Sequence, residues 1–232
     1  MTAAPAGCMA TFYKDSRQVY RLRELDAFEW LDHGFGTRMA GEWARPPVVL
    51  LRQLHSAVCR VVDRVPEERL TGDALLTSVP GLMLAVRTAD CLPILIADPR
   101  RRAVAAVHAG WRGTAARVSV KAVEALGSHF GCRPDDLAVA IGPGICAGCY
   151  EVGAEVARQF RDWDSTLGDV SGPVALDLAE INRLQLMGAG VRADKVHLGA
   201  PCTACSHTEF HSYRRDGSSA GRMLSAIAIK PR

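Results

Sequence analysis

Apolar residues in this chain gather mostly in short runs bounded by turn formers, the pattern of strands; helical spacing is confined mainly to the second half. VVLLRQLHSAVCRVV, β-branched with polar interruptions, predicts two short strands flanking a turn near Ser56. GLMLAVRT and CLPILIAD predict two more strands, joined by a tight Ala89–Asp90 corner, and QVYRLREL reads as a short strand near the N-terminus. RAVAAVHAG is a near-continuous apolar run, which implies a strand buried on both faces. Beyond the Gly110–Gly113 turn, Thr114 is the predicted N-cap of a helix reaching about Leu126, with Val118, Ala122, Val123 and Leu126 on its apolar face. LAVAIGPGICAGCYEV predicts a strand entering a Gly/Pro/Cys loop, followed by a helix from about Val152 to Phe160. VALDLAEINRLQLMGAGV predicts an amphipathic helix ended by Gly188 or Gly190, and KVHLGA and MLSAIAIK the last strands. Strands in successive pairs, with helices inserted late, predict a mixed or antiparallel α/β (α+β) architecture instead of regular βαβ winding.

The 232 residues, 48% of them hydrophobic, suffice for one well-filled core, and no repeat or linker divides them. The organisation expected is a mixed, polar, partly loose segment over residues 1–25 and a single catalytic domain over 26–232. A formal charge of +3, from 28 basic and 25 acidic residues, gives no long-range field for nucleic acid or a membrane surface. The longest apolar stretch, Gly81 to Ala97, is interrupted by Arg87, Asp90 and Pro93, so no membrane span is expected. Eight cysteines are too few for a disulfide-built scaffold, and the N-terminus has no basic-then-apolar signal pattern, so a reducing, cytoplasmic setting is expected.

Cys91 and His108 stand at the ends of two apolar runs that need no reactive group to be buried. If both leave the sheet at one edge they fit zinc ligation or a Cys-His nucleophilic dyad. A catalytic zinc needs a third protein ligand, for which His55 in RQLHS is the best candidate. Spacing does not decide the matter, because buried cysteine also behaves as a small hydrophobe and strand-end histidines are commonly only hydrogen-bonded.

RQLHS, GDALLT, TADCLPILIAD, HAGWRG, IGPGICAGCYEVG and FHSYRRDG occur in the order seen in the laccase-domain family, formerly multicopper polyphenol oxidases and now regarded as purine nucleoside phosphorylases. The chain resembles that family from about His33 to the C-terminus. The resemblance implies an α/β/β/α sandwich related to the cytotoxic-necrotising-factor type of cysteine hydrolase. It implies one zinc held by the residues matching His55, Cys91 and His108. It also implies phosphorolysis of adenosine, inosine and methylthioadenosine, with phosphate as co-substrate, and deamination of adenosine. Zinc that brings the pKa of water toward neutrality suits attack at purine C6, while phosphorolysis needs cationic groups to hold an anion beside the sugar.

Arg38 in GFGTR and Arg112 in GWRG are the arginines expected near phosphate or nucleoside, Arg112 just ahead of a helix N-terminus. Gln53 alternates onto the same strand face as His55 and is a candidate for substrate contact or for ending the strand. Asp90 reads either as a general acid/base or orienting group, with Cys91 and Arg112 in the catalytic set, or as a turn-forming residue. Asp73, in a Gly-Asp pair that is also a common turn, has a lower claim, and Ser212 or an arginine of FHSYRRDG is a candidate to close the pocket.

Two CxxC pairs, Cys146/Cys149 and Cys202/Cys205, raise a rival metal site, but residues 150 to 201 separate them, far more than the about 15–20 residues of a compact zinc ribbon, so convergence is not expected. Three other functions compete: a metal-free thiol hydrolase using Cys91 and His108, a copper oxidase of phenols, and a nucleoside-binding module without turnover. Thiolate and imidazole also bind copper, but a laccase needs a large set of converging histidines and the chain has 7 in all, so copper is expected to be adventitious.

Overall fold

The computed structural model describes residues 12–45, 47–167 and 170–231. Two six-stranded sheets stack face to face. The first has the order β1 (Phe12–Lys14), β2 (Val19–Leu22), β3 (Leu31–Gly36), β14 (Met223–Ile229), β7 (Met83–Thr88), β4 (Val48–Leu50). The second runs β13 (Val196–His197), β10 (Ala138–Ile141), β8 (Leu92–Asp98), β9 (Ala103–Ala109), β6 (Ala74–Thr77), β5 (Cys59–Val61). A short ribbon pairs β11 (Glu151–Val152) with β12 (Val174–Ala175). Pairing is antiparallel except for β4 with β7, β5 with β6 and β10 with β13, the mixed arrangement expected of strands that come in successive pairs.

Period-two alternation sorts the two faces of the second sheet. Leu75, Leu95, Ala97, Val104 and Ala106 meet Leu84, Val86 and Ile227 of the first sheet. Leu76, Ile94, Ile96, Ala105 and Val107 face the other way, toward two helices, α3 (Val118–Phe130) and α5 (Leu178–Gly188). β8 and β9 are therefore buried along their whole lengths, as the unbroken apolar run of RAVAAVHAG predicts for β9.

Where the resemblance implies a second helical layer, irregular chain covers the outer face of the first sheet. Trp43 lies there among Val19, Met83, Ala85 and Ala226. A Cβ on Gly34 or Gly36 would come within 3.0 or 2.5 Å of the indole, so the bare backbone of β3 is the bed on which it rests. The shorter helices are α1 (Arg23–Asp26), α2 (Trp111–Ala115), α4 (Ala154–Ala157) and α6 (Tyr213–Asp216), and among the described residues none contributes to that outer cluster. No helix is long and apolar enough to cross a membrane.

Residues 12–22 form the β1–β2 hairpin; residues 1–11, the rest of the expected loose segment apart from α1, lie outside the described part. The helix expected to start at Thr114 begins instead at Trp111, with Gly110 in the capping position, and is broken at Arg117, whose φ is 60°. Thr114 is buried inside α2, its hydroxyl accepting from Asn182 Nδ2 at 2.9 Å. The expected Val152–Phe160 helix is shorter, one turn of α4 continued by a 3₁₀ turn over Arg158–Phe160.

β3 also carries a buried imidazole. Burial holds His33 down at about 4 against an ordinary 6.5, and Leu22 N–H donates to its Nε2 at 3.0 Å, which requires that nitrogen to be unprotonated. Below pH 6.5 the unfolded chain takes up a proton that the folded chain refuses until about pH 4. Stability present above pH 6.5 is thus lost on acidification through that window, by up to about 3 kcal/mol. Urea unfolding of His33→Gln, which keeps an acceptor at this position, should have a flatter profile from pH 6.5 to 4; identical slopes in parent and variant would refute the assignment.

Candidate functional site

The site stands at one end of the β8–β9 hairpin. Its antiparallel register pairs Leu92 with Ala109 and Pro93 with His108, so Cys91, just before β8, emerges beside His108 at the end of β9. His55 arrives from the segment that crosses from β4 in the first sheet to β5 in the second. One donor atom from each of His55, Cys91 and His108 lies within 4.8 Å of the others, and the two imidazoles meet edge to face with centroids 4.8 Å apart.

Asp73, buried at the start of β6, organises the trio. Its carboxylate accepts from the backbone N–H groups of Leu54 (3.3 Å), His55 (3.0 Å) and Ser56 (2.6 Å), from the Ser56 hydroxyl (2.6 Å), and pairs with His108 Nδ1 (2.8 Å). These bonds hold His55 at a φ of 59°, a left-handed conformation that only such over-determination maintains in a non-glycine residue. They also commit His108 Nδ1, so that Nε2 is the ring nitrogen facing Cys91. A carboxylate behind a histidine is a recurrent support of metal centres, a placement that the Gly-Asp pair of GDALLT does not reveal.

Charge follows from this packing. Burial raises the Asp73 carboxyl, but hydrogen bonds from His108 and Ser56 outweigh it and hold the group at about 2. Burial opposes the imidazolium of His108, yet Asp73 and Cys91 together lift it to about 9. Burial likewise opposes the thiolate of Cys91, and the two histidines bring it down to about 6. Cys91 is therefore a thiolate at neutral pH, the form that binds metals or attacks electrophiles.

Above the trio lies a cavity of about 740 Å³. Arg52, Arg69, Arg87, Arg112, Arg214 and Arg222 line it, and Asp90 is the one carboxylate among the described lining residues. Trp111, Tyr150 and Tyr213 add aromatic surface. A small anion beside a flat aromatic group is what this lining suits.

The structure brings most of the expected residues here, in altered roles. Arg112 lines the cavity and also stacks on Trp111, 4.2 Å from the ring centroid. Gln53 lines it too, but its amide pairs with both backbone groups of Arg87, at 2.9 and 2.8 Å, and so staples the His55 segment to the end of β7. Asp90, at a φ of 83°, accepts from the Thr203 hydroxyl at 2.6 Å and from Arg214 N–H at 2.7 Å, one bond on each carboxylate oxygen. Those bonds engage it in anchoring the chain. Ser212 is buried and caps α6 by accepting from Arg215 N–H, whereas its neighbour Arg214 reaches the cavity. Arg38 is not among the described lining residues; its guanidinium donates to the His207 carbonyl at 3.1 Å.

Gly110 completes the floor. A Cβ there would lie 2.8 Å from Cys91 Sγ and 3.0 Å from His55 Cδ2, so the space for the donors depends on this glycine.

A family model described as multi-copper polyphenol oxidoreductase laccase matches residues 37–230. A purine nucleoside phosphorylase of Deinococcus radiodurans is 43% identical over 187 residues, covering 78% of this chain and 70% of the relative. The chain belongs to this laccase-domain family. Adenosine deaminase RL5, from an unknown prokaryotic organism, is 37% identical over 198 residues, 79% of this chain and 75% of its own. The crystal structure of YlmD from Geobacillus stearothermophilus superposes with a TM-score of 0.84 at 28% identity, covering 96% of this chain and 100% of that one. Membership places the chain among purine-nucleoside-phosphorylase-like enzymes, and the His55, Cys91, His108 cluster is its candidate metal centre.

Proposed function

We propose that the chain is a purine nucleoside phosphorylase of broad specificity, acting on adenosine, inosine and methylthioadenosine, with adenosine deaminase activity and one zinc held by His55, Cys91 and His108. The observation that carries the reading is a thiolate and two imidazoles gathered beneath a cavity lined by six arginines and three aromatic rings. The donor set fits the ion: one sulfur and two ring nitrogens are the ligand types and number of a catalytic zinc site, His55, Cys91 and His108 would hold it, and Asp73 orients the His108 ring. The family's other reading, a multicopper oxidase, finds no second gathering of imidazoles among the described residues.

Phosphorolysis transfers the sugar from purine to phosphate: a phosphate oxygen bonds to the anomeric carbon while the glycosidic electron pair leaves with the base. Arg112, stiffened by Trp111, holds the phosphate, and the remaining cavity arginines oppose its charge as it approaches the sugar. The guanidinium does this work in place of a helix dipole, since α2 is only 5 residues long. Tyr150 and Tyr213 supply faces for the purine. Asp90 acts as a positioning residue, holding the Cys91 corner against Thr203 and Arg214. When bound, zinc supplies Lewis acidity and makes water acidic near neutral pH, the chemistry required for attack at purine C6.

The thiolate–imidazolium pairing of Cys91 and His108 also supports a metal-free thiol hydrolase, in which His55 would only help hold the thiolate. Incubating the protein with inosine and phosphate separates the readings: release of hypoxanthine and ribose 1-phosphate is expected, with loss after His108→Ala. Arg112→Ala should raise KM for phosphate by about 10-fold or more, with a smaller effect on KM for inosine. Protein without stoichiometric zinc that releases neither product, and whose Cys91 is readily alkylated by iodoacetamide, would favour the hydrolase instead.

A further inference from the structure

The two CxxC pairs that the sequence spacing keeps apart come together in the fold. The Sγ atoms of Cys146, Cys149, Cys202 and Cys205 all lie within 4.8 Å of one another, and those of Cys149 and Cys205 are 3.3 Å apart. The residues between the pairs form the β11–β12 ribbon, α4 and α5, and the chain then returns so that Gly144 and Cys202 form a parallel bridge. Thr203 N–H donates to the Gly144 carbonyl at 3.0 Å, fixing the second pair against the first. Each pair closes its own tight turn: Cys149 N–H donates to the Cys146 carbonyl, and Ser206 N–H to that of Cys202, both at 3.0 Å.

We propose that these four cysteines hold a second zinc ion, closed to substrate and structural in role. Tetrahedral zinc with bonds to sulfur of about 2.3 Å sets its ligand atoms about 3.8 Å apart, within the span these sulfurs already occupy. Four soft donors with no carboxylate select zinc over magnesium or calcium. So compact a set encloses one ion, whereas an iron–sulfur cluster spreads its cysteines around a core of several atoms. The sulfurs also form one mutually close group, instead of two pairs each directed at a single partner. Cys146 N–H points at Cys202 Sγ from 3.2 Å, a donor suited to a sulfur that carries charge.

With all four positions occupied by protein, this ion takes no part in the reaction and acts as a staple. What it fastens borders the cavity. Ile145 and Tyr150, on either side of the first pair, line the cavity, and Ile145 N–H donates to the Asp90 carbonyl at 2.9 Å. Thr203, inside the second pair, holds the Asp90 carboxylate next to Cys91.

Elemental analysis of the protein purified under reducing conditions tests the proposal, and it is independent of the trio because each site is removed separately. The parent should contain two zinc ions per chain, His108→Ala one, and Cys205→Ser one. Zinc-edge X-ray absorption on His108→Ala, or on Cys91→Ala if that variant folds better, should report four sulfur neighbours at about 2.3 Å. A parent whose zinc is lost entirely in His108→Ala, residual zinc in that variant with nitrogen or oxygen neighbours, or thiol titration of the denatured chain revealing these four cysteines as disulfides would each overturn it, whereas a single zinc retained by His108→Ala with four sulfur neighbours would sink the trio reading alone. The parent and trio-variant arms stand even if Cys205→Ser does not fold.

Discussion

Asp73→Ala should unfold about 3–5 kcal/mol more easily than the parent and bind zinc about 10- to 100-fold more weakly. The substitution removes the acceptor for three backbone N–H groups and a hydroxyl and strips His108 of its buried counter-charge. The part-buried donors left unpaired carry a desolvation cost, and His55 loses the bond that supports its left-handed conformation. Asp73→Asn should recover part of the stability but little of the affinity, because its amide nitrogen must face at least one of the same donors. Urea unfolding and zinc competition titration measure the two effects. Parent-like affinity in Asp73→Ala would remove Asp73 from its organising role.

Gly110→Ala should separate site geometry from backbone stability. With φ at −82° and ψ at 177° the position is unstrained for alanine, and replacing a capping glycine costs only on the order of 1 kcal/mol. The added methyl, however, lands 2.8 Å from Cys91 Sγ and 3.0 Å from His55 Cδ2, and so displaces two of the three donors. Zinc affinity should fall about 10- to 100-fold while the thermal midpoint of the metal-free protein moves little. Undiminished zinc affinity in this variant would mean that the donors have more freedom than their packing indicates.

CLPILIAD and RAVAAVHAG are legible as strands from their apolar runs, and the second as one buried on both faces, but the antiparallel pairing that puts Cys91 beside His108 is a property of the fold. His55 stands out as a third candidate because RQLHS follows an apolar strand, but its approach to the pair depends on a crossing between sheets that no local pattern encodes. Asp73 was ranked low because the groups that specify it are backbone N–H donors of residues 54–56, which leave no mark on side-chain identity. Thr114 looked like a helix cap by residue type, but its partner is Asn182, 68 positions along the chain. The convergence of the CxxC pairs was missed because ribbon spacing presumes that the intervening chain is a short loop, whereas here it forms a ribbon and two helices before coming back. Arg38 was selected for chemistry suited to anions, and the fold assigns that guanidinium to a carbonyl on a neighbouring loop.

Because the His55 segment is tied to β7 of the first sheet through Gln53 and to β6 of the second through Asp73, while Cys91 and His108 belong to a single hairpin, the way the two sheets lie against each other bears on the spacing of the trio. A sliding displacement of one layer over its neighbour would open the donor triangle from one corner only. Enlarging or shrinking residues such as Leu84 or Leu95 in the intervening seam therefore alters affinity for the ion from a distance, with no change to any atom that touches it.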